Sequence, residues 1–297
     1  MKKALSTMLG LTLILSLLVV TGCNSKEKAA ETSEAAGKAT VQKPIIAVTI
    51  VPEQTFVEAV CGDLAEVITM VPPGNSPENY EPTPQEREKF SKASLYFSIG
   101  VPTEEANILL NVGDVKVVSL QKEVAAVYPE RTFESGERDP HIWLSPKRAK
   151  VMVETIAREM GELDAANKET YAKNAAAYIA QLDELDQEIT SALKDVQSKK
   201  FIVYHPAFGY LADDYGLTMV ALEQEGKEAT AQHLQEIIDL AKKENIKAIF
   251  YQEEIDSSQS EAFAEEIGGK TIQLAPLAAD YIGNLKKMAE TMAEVMQ

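Results

Sequence analysis

Cysteine, histidine and cationic charge are all scarce in this chain, and each scarcity removes a class of function. Only two cysteines occur, Cys23 and Cys61, so no thiolate metal cluster and no closely spaced redox pair can form. Lys and Arg number 29 against 46 Asp and Glu, a net charge of −17. Such acidity argues against nucleic acid; it serves solubility and the attraction of cationic ligands equally well. No phosphate loop, dinucleotide fingerprint, nucleophile elbow or His-Glu-x-x-His pattern is present. Proline and glycine are absent from one long stretch, Asn167 to Gln197.

That stretch reads as the element that organises the fold. Asn167 suits an N-cap, and Glu169 and Lys194 sit at the favourable ends of the helix dipole. Tyr171, Ala175, Tyr178, Leu182, Leu185, Ile189, Leu193 and Val196 recur at alternating gaps of four and three, an amphipathic seam. The helix would be roughly 44 Å long. Strand–helix arrays flank it, so it is expected to join two lobes as a rigid beam over 167–198.

The N-terminus reads as a targeting segment. Lys2 and Lys3 precede an apolar run from Ala4 to Val20, which ends in Thr21-Gly22-Cys23. This pattern resembles a bacterial lipoprotein signal over residues 1–22, with Cys23 as the lipidated first residue of the mature chain. A lipid would tether the protein to a membrane without spanning it. Residues 23–43 lack large apolar side chains and are expected to be a flexible tether. Cys61 falls beside Val57 and Val60 and is expected in the core.

Before the beam, in a lobe spanning 44–166, strands are expected at Ile45–Ile50, Ala65–Val71, Ser94–Ile99 and Val115–Leu120. Helices are expected at Gln54–Cys61, Pro84–Ala93, Thr103–Leu110 and Pro146–Leu163. After it, in a lobe spanning 199–297, strands fit Phe201–Tyr204, Leu217–Leu222, Ala248–Gln252 and Thr271–Leu274. Helices fit Ala207–Tyr215, Ala231–Asn245, Ser258–Ile267 and Asp280–Val295. The fold class is therefore α/β: two lobes, each a four-stranded mostly parallel sheet flanked by helices. Ligands of such sheets bind beyond the strand C-termini.

The chemistry-bearing residues cluster at those ends. His141 lies in Asp139-Pro-His-Ile-Trp-Leu144 and His205 in Tyr204-His-Pro-Ala-Phe208, one from each lobe. His233 falls on a polar helix face and reads as a surface residue. Glu78 follows the second strand, and Glu253 and Glu254 follow the seventh. Either histidine alone could be structural; the pair, with one or two carboxylates, favours a site for a divalent transition metal.

These residues stand in motifs that resemble the zinc- and manganese-binding solute receptors of bacterial metal ABC transporters. The resemblance runs from Ile45 to the C-terminus. It rests on Tyr80-Glu-Pro-Thr-Pro84, Asp139-Pro-His-Ile-Trp-Leu144, His205-Pro-Ala-Phe-Gly-Tyr-Leu211, Gly226-Lys-Glu228, Ile249-Phe-Tyr-Gln252 and Pro276-Leu277. It implies two four-stranded lobes on a rigid helix, His141 and His205 as ligands, and zinc rather than manganese, since manganese-type members usually carry Glu at the position of His205. Two positions depart from the pattern. Glu78 stands where the family usually has His, and Ala275 where it usually has Asp. Glu78 can coordinate as a harder donor that moves preference slightly toward manganese or iron; Glu254 or water could fill the corner left by Ala275. No histidine-rich loop is present, for 120–139 holds no His.

The resulting expectation is a lipid-anchored, extracytoplasmic and monomeric receptor that passes Zn2+, or alternatively Mn2+ or Fe2+, to an ABC permease and its ATPase. A metal chelatase-like enzyme and an adhesion lipoprotein with a vestigial site are the competing readings.

Overall fold

Four parallel strands form each of two sheets, and both sheets share one strand order. The computed structural model describes residues 43–224, 227, 229–255 and 258–297. The signal segment, Cys23, the tether as far as Gln42, and Gly226 and Glu228 lie outside the described residues. In the first sheet β1 (Ile45–Val48) pairs with β2 (Glu66–Thr69) and β3 (Leu95–Ser98), and β3 pairs with β4 (Lys116–Ser119), giving the order β2-β1-β3-β4. In the second, β5 (Lys200–Val203), β6 (Thr218–Ala221), β7 (Ala248–Gln252) and β8 (Lys270–Leu274) give β6-β5-β7-β8. Parallel neighbours need crossovers, and helices supply them.

The helices are α1 (Val51–Cys61), α2 (Pro84–Phe90), α3 (Leu120–Ala125), α4 (Pro146–Leu163), α5 (Lys168–Leu193), α6 (Gly209–Asp214), α7 (Ala231–Glu244), α8 (Ser258–Glu266) and α9 (Tyr281–Val295). Local chemistry sets their starts. Thr83 Oγ1 accepts from Glu86 N at 3.3 Å while Glu86 Oε2 accepts from Thr83 N at 2.7 Å, a reciprocal cap on α2. Ser145 accepts from Arg148 N, and Pro146 occupies the first turn of α4. Thr230 caps α7, and Asn245 ends it in the left-handed conformation at φ 56°.

The long helix is α5, 26 residues or about 39 Å. It is shorter than expected because the turn at 165–167 is 3-10 and the chain leaves the helix after Leu193. Asn167 holds the N-cap position without capping; its Nδ2 donates to Asp164 Oδ2 at 2.7 Å instead. The apolar seam is buried as read, from Tyr171 to Leu193.

Strand alternation divides the interior into three clusters. Ile46, Val48, Leu95 and Phe97 of the first sheet, and Phe201, Val203 and Phe250 of the second, point into one continuous core with α1, α4, α5 and α9. Ala47 and Tyr96 face a smaller cluster beyond the first sheet. Ile202, Tyr204 and Ile249 face another beyond the second. Both lobes thus share one core, with α5 running through it. Cys61 is buried there, and burial pushes its thiol up to about 12.

Three features differ from expectation. The segment Glu104–Ile108 is a π-helix followed by a 3-10 turn at Leu109–Asn111, in place of a regular helix. Glu104 turns back to accept from Ile99 N and Gly100 N, each at 2.8 Å, which anchors the turn to the end of β3. Helix α3 begins directly at the end of β4. A bridge between Thr132 and Arg138 closes a small hairpin in the long β4–α4 connection.

Candidate metal centre

The strand ends bring three of the residues singled out in the sequence together. Glu78 hangs in the loop after β2, held by Glu78 N donating to Ser76 Oγ at 3.3 Å. Thr103 N donates to Pro77 O at 3.1 Å, and Asn107 Nδ2 donates to Tyr80 O at 2.9 Å. His141 lies just before the 3-10 turn Ile142–Leu144 that leads into α4. His205 follows β5 by two residues. One donor atom from each of Glu78, His141 and His205 lies within 4.8 Å of the other two.

The geometry is that of a cation site. The two Nε2 atoms face each other at 3.3 Å, and Glu78 Oε1 is 3.8 Å from each. Donors around a tetrahedral zinc at about 2.0–2.1 Å stand roughly 3.3–3.4 Å apart. The imidazole pair therefore already has ligand spacing, and the Glu78 carboxylate has about 0.5 Å to close. His141 and His205 are 3 % and 6 % exposed, so both rings are held by the surrounding protein.

Each imidazole is oriented from behind. Asp139 Oδ1 lies 2.8 Å from His141 Nδ1 and accepts from His141 N at 3.0 Å. Glu223 Oε2 lies 2.7 Å from His205 Nδ1. A carboxylate at Nδ1 assigns the proton there and leaves the Nε2 lone pair aimed at the centre. Two lone pairs and a carboxylate oxygen then converge with no donor hydrogen among them. Such a cluster of acceptors suits a cation.

Glu254 is not part of this group. Burial holds its carboxyl above the usual carboxylate range, and Oε2 has no hydrogen-bond partner. Register explains the placement. Gln252 pairs with Leu274, so Glu253, not Glu254, comes opposite Ala275. A cavity of about 260 Å³ at that corner is lined by Glu253, Ala275 and Asn284. Ala275 contributes only its carbonyl, which accepts from Asn284 Nδ2 at 2.7 Å. His233 is half-buried rather than free on the surface, its Nε2 3.1 Å from Ala221 O.

Asp139 and Glu223 were not assigned roles from sequence. Glu223 had a findable signal: Val203 pairs with Ala221, and the same offset sets Glu223 beside His205. A cavity of about 650 Å³ opens in front of the three donors, walled by Gly100, Val101, Phe133, Arg138 and Pro206 among others.

Comparison with known proteins bears on the same site. The family described as zinc-uptake complex component A, periplasmic, matches residues 46–295. The chain belongs to this family. It is 31 % identical over 273 residues to the high-affinity zinc uptake system protein ZnuA of Bacillus subtilis, covering 86 % of each chain. A crystal structure of ZnuA superposes with a TM-score of 0.81 at 38 % identity, covering 86 % of this chain and all of that one. The zinc-binding lipoprotein AdcA of Streptococcus pneumoniae strain R6 is 32 % identical over 249 residues, 78 % of this chain but half of that protein's length. The zinc-uptake family consists of metal receptors, so the chelatase-like reading is set aside. Among the described residues no helix is long and apolar enough to cross a membrane.

Proposed function

We propose that this protein is the extracytoplasmic receptor of a zinc ABC importer. It takes Zn2+ between Glu78, His141 and His205 and hands it to a permease coupled to an ATPase. The observation that carries the reading is the pair of facing Nε2 atoms, each committed as an acceptor by a carboxylate on its other nitrogen. Zinc is the favoured cargo because two imidazoles dominate the donor set and zinc stands above manganese in the affinity order.

The fourth position falls to a water, since Ala275 offers no side-chain donor. The receptor works as a monomer, with residues 44–166 and 199–297 as its lobes and 167–198 as the connector. Cys23 carries a lipid that keeps it at the outer face of the cell membrane, with 23–43 as the tether. Competition calorimetry tests the cargo: Zn2+ should displace Mn2+, and neither His141→Ala nor His205→Ala should retain wild-type affinity. Manganese displacing zinc, or full affinity in both variants, would refute it. Cys23→Ser should release the protein from membranes; unchanged association would remove the anchor from the account.

A further inference from the structure

The His141 loop belongs to the first lobe by sequence, yet several of its polar partners come from the second. Tyr210 OH on α6 accepts from Arg131 N at 2.9 Å and donates to Asp139 O at 3.2 Å. Trp143 Nε1 donates to Pro276 O at 3.0 Å, and Tyr281 OH donates to Trp143 O at 2.6 Å.

Arg131 stands at the centre of this crossing. Its Nη1 donates to both carboxylate oxygens of Asp213, at 3.0 and 2.9 Å. Its Nε lies 3.2 Å from Asp139 Oδ2. The Asp139 side chain is fully buried, and its Oδ1 is taken by His141. Neither Oδ2 nor Nε has a hydrogen-bond partner, and the cation facing Oδ2 is this guanidinium. Gly209 makes the approach possible, since a Cβ there would collide with Arg131 Nε and Asp139 Oδ2.

We propose that Arg131 is a positioning residue for metal capture: anchored on Asp213 of the second lobe, its guanidinium fixes the buried Asp139 carboxylate and, through it, the ring orientation of His141. The inference rests on reading His141 as a metal donor. The physical argument is compensation. Without Arg131, Asp139 Oδ2 is a buried charge with no partner, and the carboxylate relieves this by turning toward water. That turn loosens its hold on Nδ1. Lysine restores the charge but not the fork, so it can reach Asp139 or Asp213 but not hold both. The seating of α6 against the β4–α4 connection thereby decides whether His141 is ready to bind.

The test uses the full-length protein and Co2+ as a spectroscopic stand-in for zinc, with zinc affinity measured by competition. Wild type should give ligand-field bands of a low-coordinate site. Arg131→Ala should shift or weaken those bands and cost zinc affinity about tenfold, the low end for groups behind a ligand. Arg131→Lys should recover part of both, and Gly209→Ala should resemble Arg131→Ala although every charge is kept. Asp213, about half exposed, gives a variant safe for folding: Asp213→Asn should move the bands in the same direction by less. Wild-type bands and affinity in both Arg131→Ala and Asp213→Asn would overturn the proposal. Absence of any such bands in wild type would instead overturn the metal-donor reading, and the proposal with it.

Discussion

His141 and His205 present the same face to the centre but are held by unequal halves of the molecule. Both give Nδ1 to a carboxylate, at 2.8 and 2.7 Å. Behind His141 the carboxylate is Asp139, fully buried, two residues away in the same loop and facing Arg131. Behind His205 it is Glu223, at the end of the neighbouring strand, with 13 % of its side chain exposed. Glu78, the third donor, is 28 % exposed, and its loop is steadied by hydrogen bonds to Ser76 and from Asn107. The comparison teaches that the site is graded: one preset imidazole, a second on a looser support, and a carboxylate that must still move inward. Both lobes share one core, so on the proposed reading the closing distance falls to the Glu78 loop rather than to a hinge between sheets.

The largest effects should come from removing a ring. His141→Ala or His205→Ala should weaken zinc by at least a hundredfold, about 3 kcal/mol, in calorimetry. The two losses should be similar, because each deletes one nitrogen. The supports should then separate what the rings do not. Asp139→Asn and Glu223→Gln should each cost 10–100-fold, about that range for groups behind metal ligands. Asp139→Asn should cost more, since its partner atoms are fully enclosed. Equal losses would erase the grading.

Glu78 sharpens the comparison through selectivity. Glu78→Gln should weaken zinc by about tenfold, and Glu78→His should widen the zinc-over-manganese margin by exchanging oxygen for nitrogen. Zinc affinity untouched in Glu78→Gln would make Glu78 a solvated loop residue. A smaller gain is expected from Ala275→Asp, and only if the corner beside Glu253 opens to the metal.

The smallest effect concerns the wall beneath Gly100. Glu53 and Glu104 are both buried; burial first, and then the facing Glu104 charge, holds the Glu53 carboxyl well above its ordinary range. A folded-state value above the unfolded one gives stability that is full below about pH 4.3 and lost as pH rises through the raised value. Glu53→Gln should therefore flatten the fall of melting temperature as pH rises above about 4.3. A parallel fall in both proteins would show that Glu53 is not the titrating group.

Much of this was legible in the sequence where a repeating pattern encodes it. The α4 boundaries follow from Ser145 and Pro146 at one end and the end of the periodic pattern at the other. The α5 seam follows from its spacing, and His205 from its position just beyond β5; His141 stands out by its motif, since α3 and the hairpin separate it from β4. The hairpin at 132–138 has no apolar alternation to announce it, and the π-helix at Glu104 depends on a tertiary bond back to Ile99 and Gly100. The carboxylate behind His205 is harder to see. Glu223 meets His205 through strand register, and Glu253 rather than Glu254 meets Ala275 the same way. Register becomes readable only once the paired strands and their offset are fixed, whereas Asp139 stands two residues from His141 in plain sight.

The most direct measurement is a crystal structure of the zinc-loaded protein with anomalous data across the zinc edge. The account predicts one strong site with His141 Nε2 and His205 Nε2 at about 2.0–2.1 Å and a Glu78 oxygen at about 2.0–2.2 Å, water completing the shell. Zinc placed away from the two rings, or bound by both while Glu78 points to solvent, would contradict it.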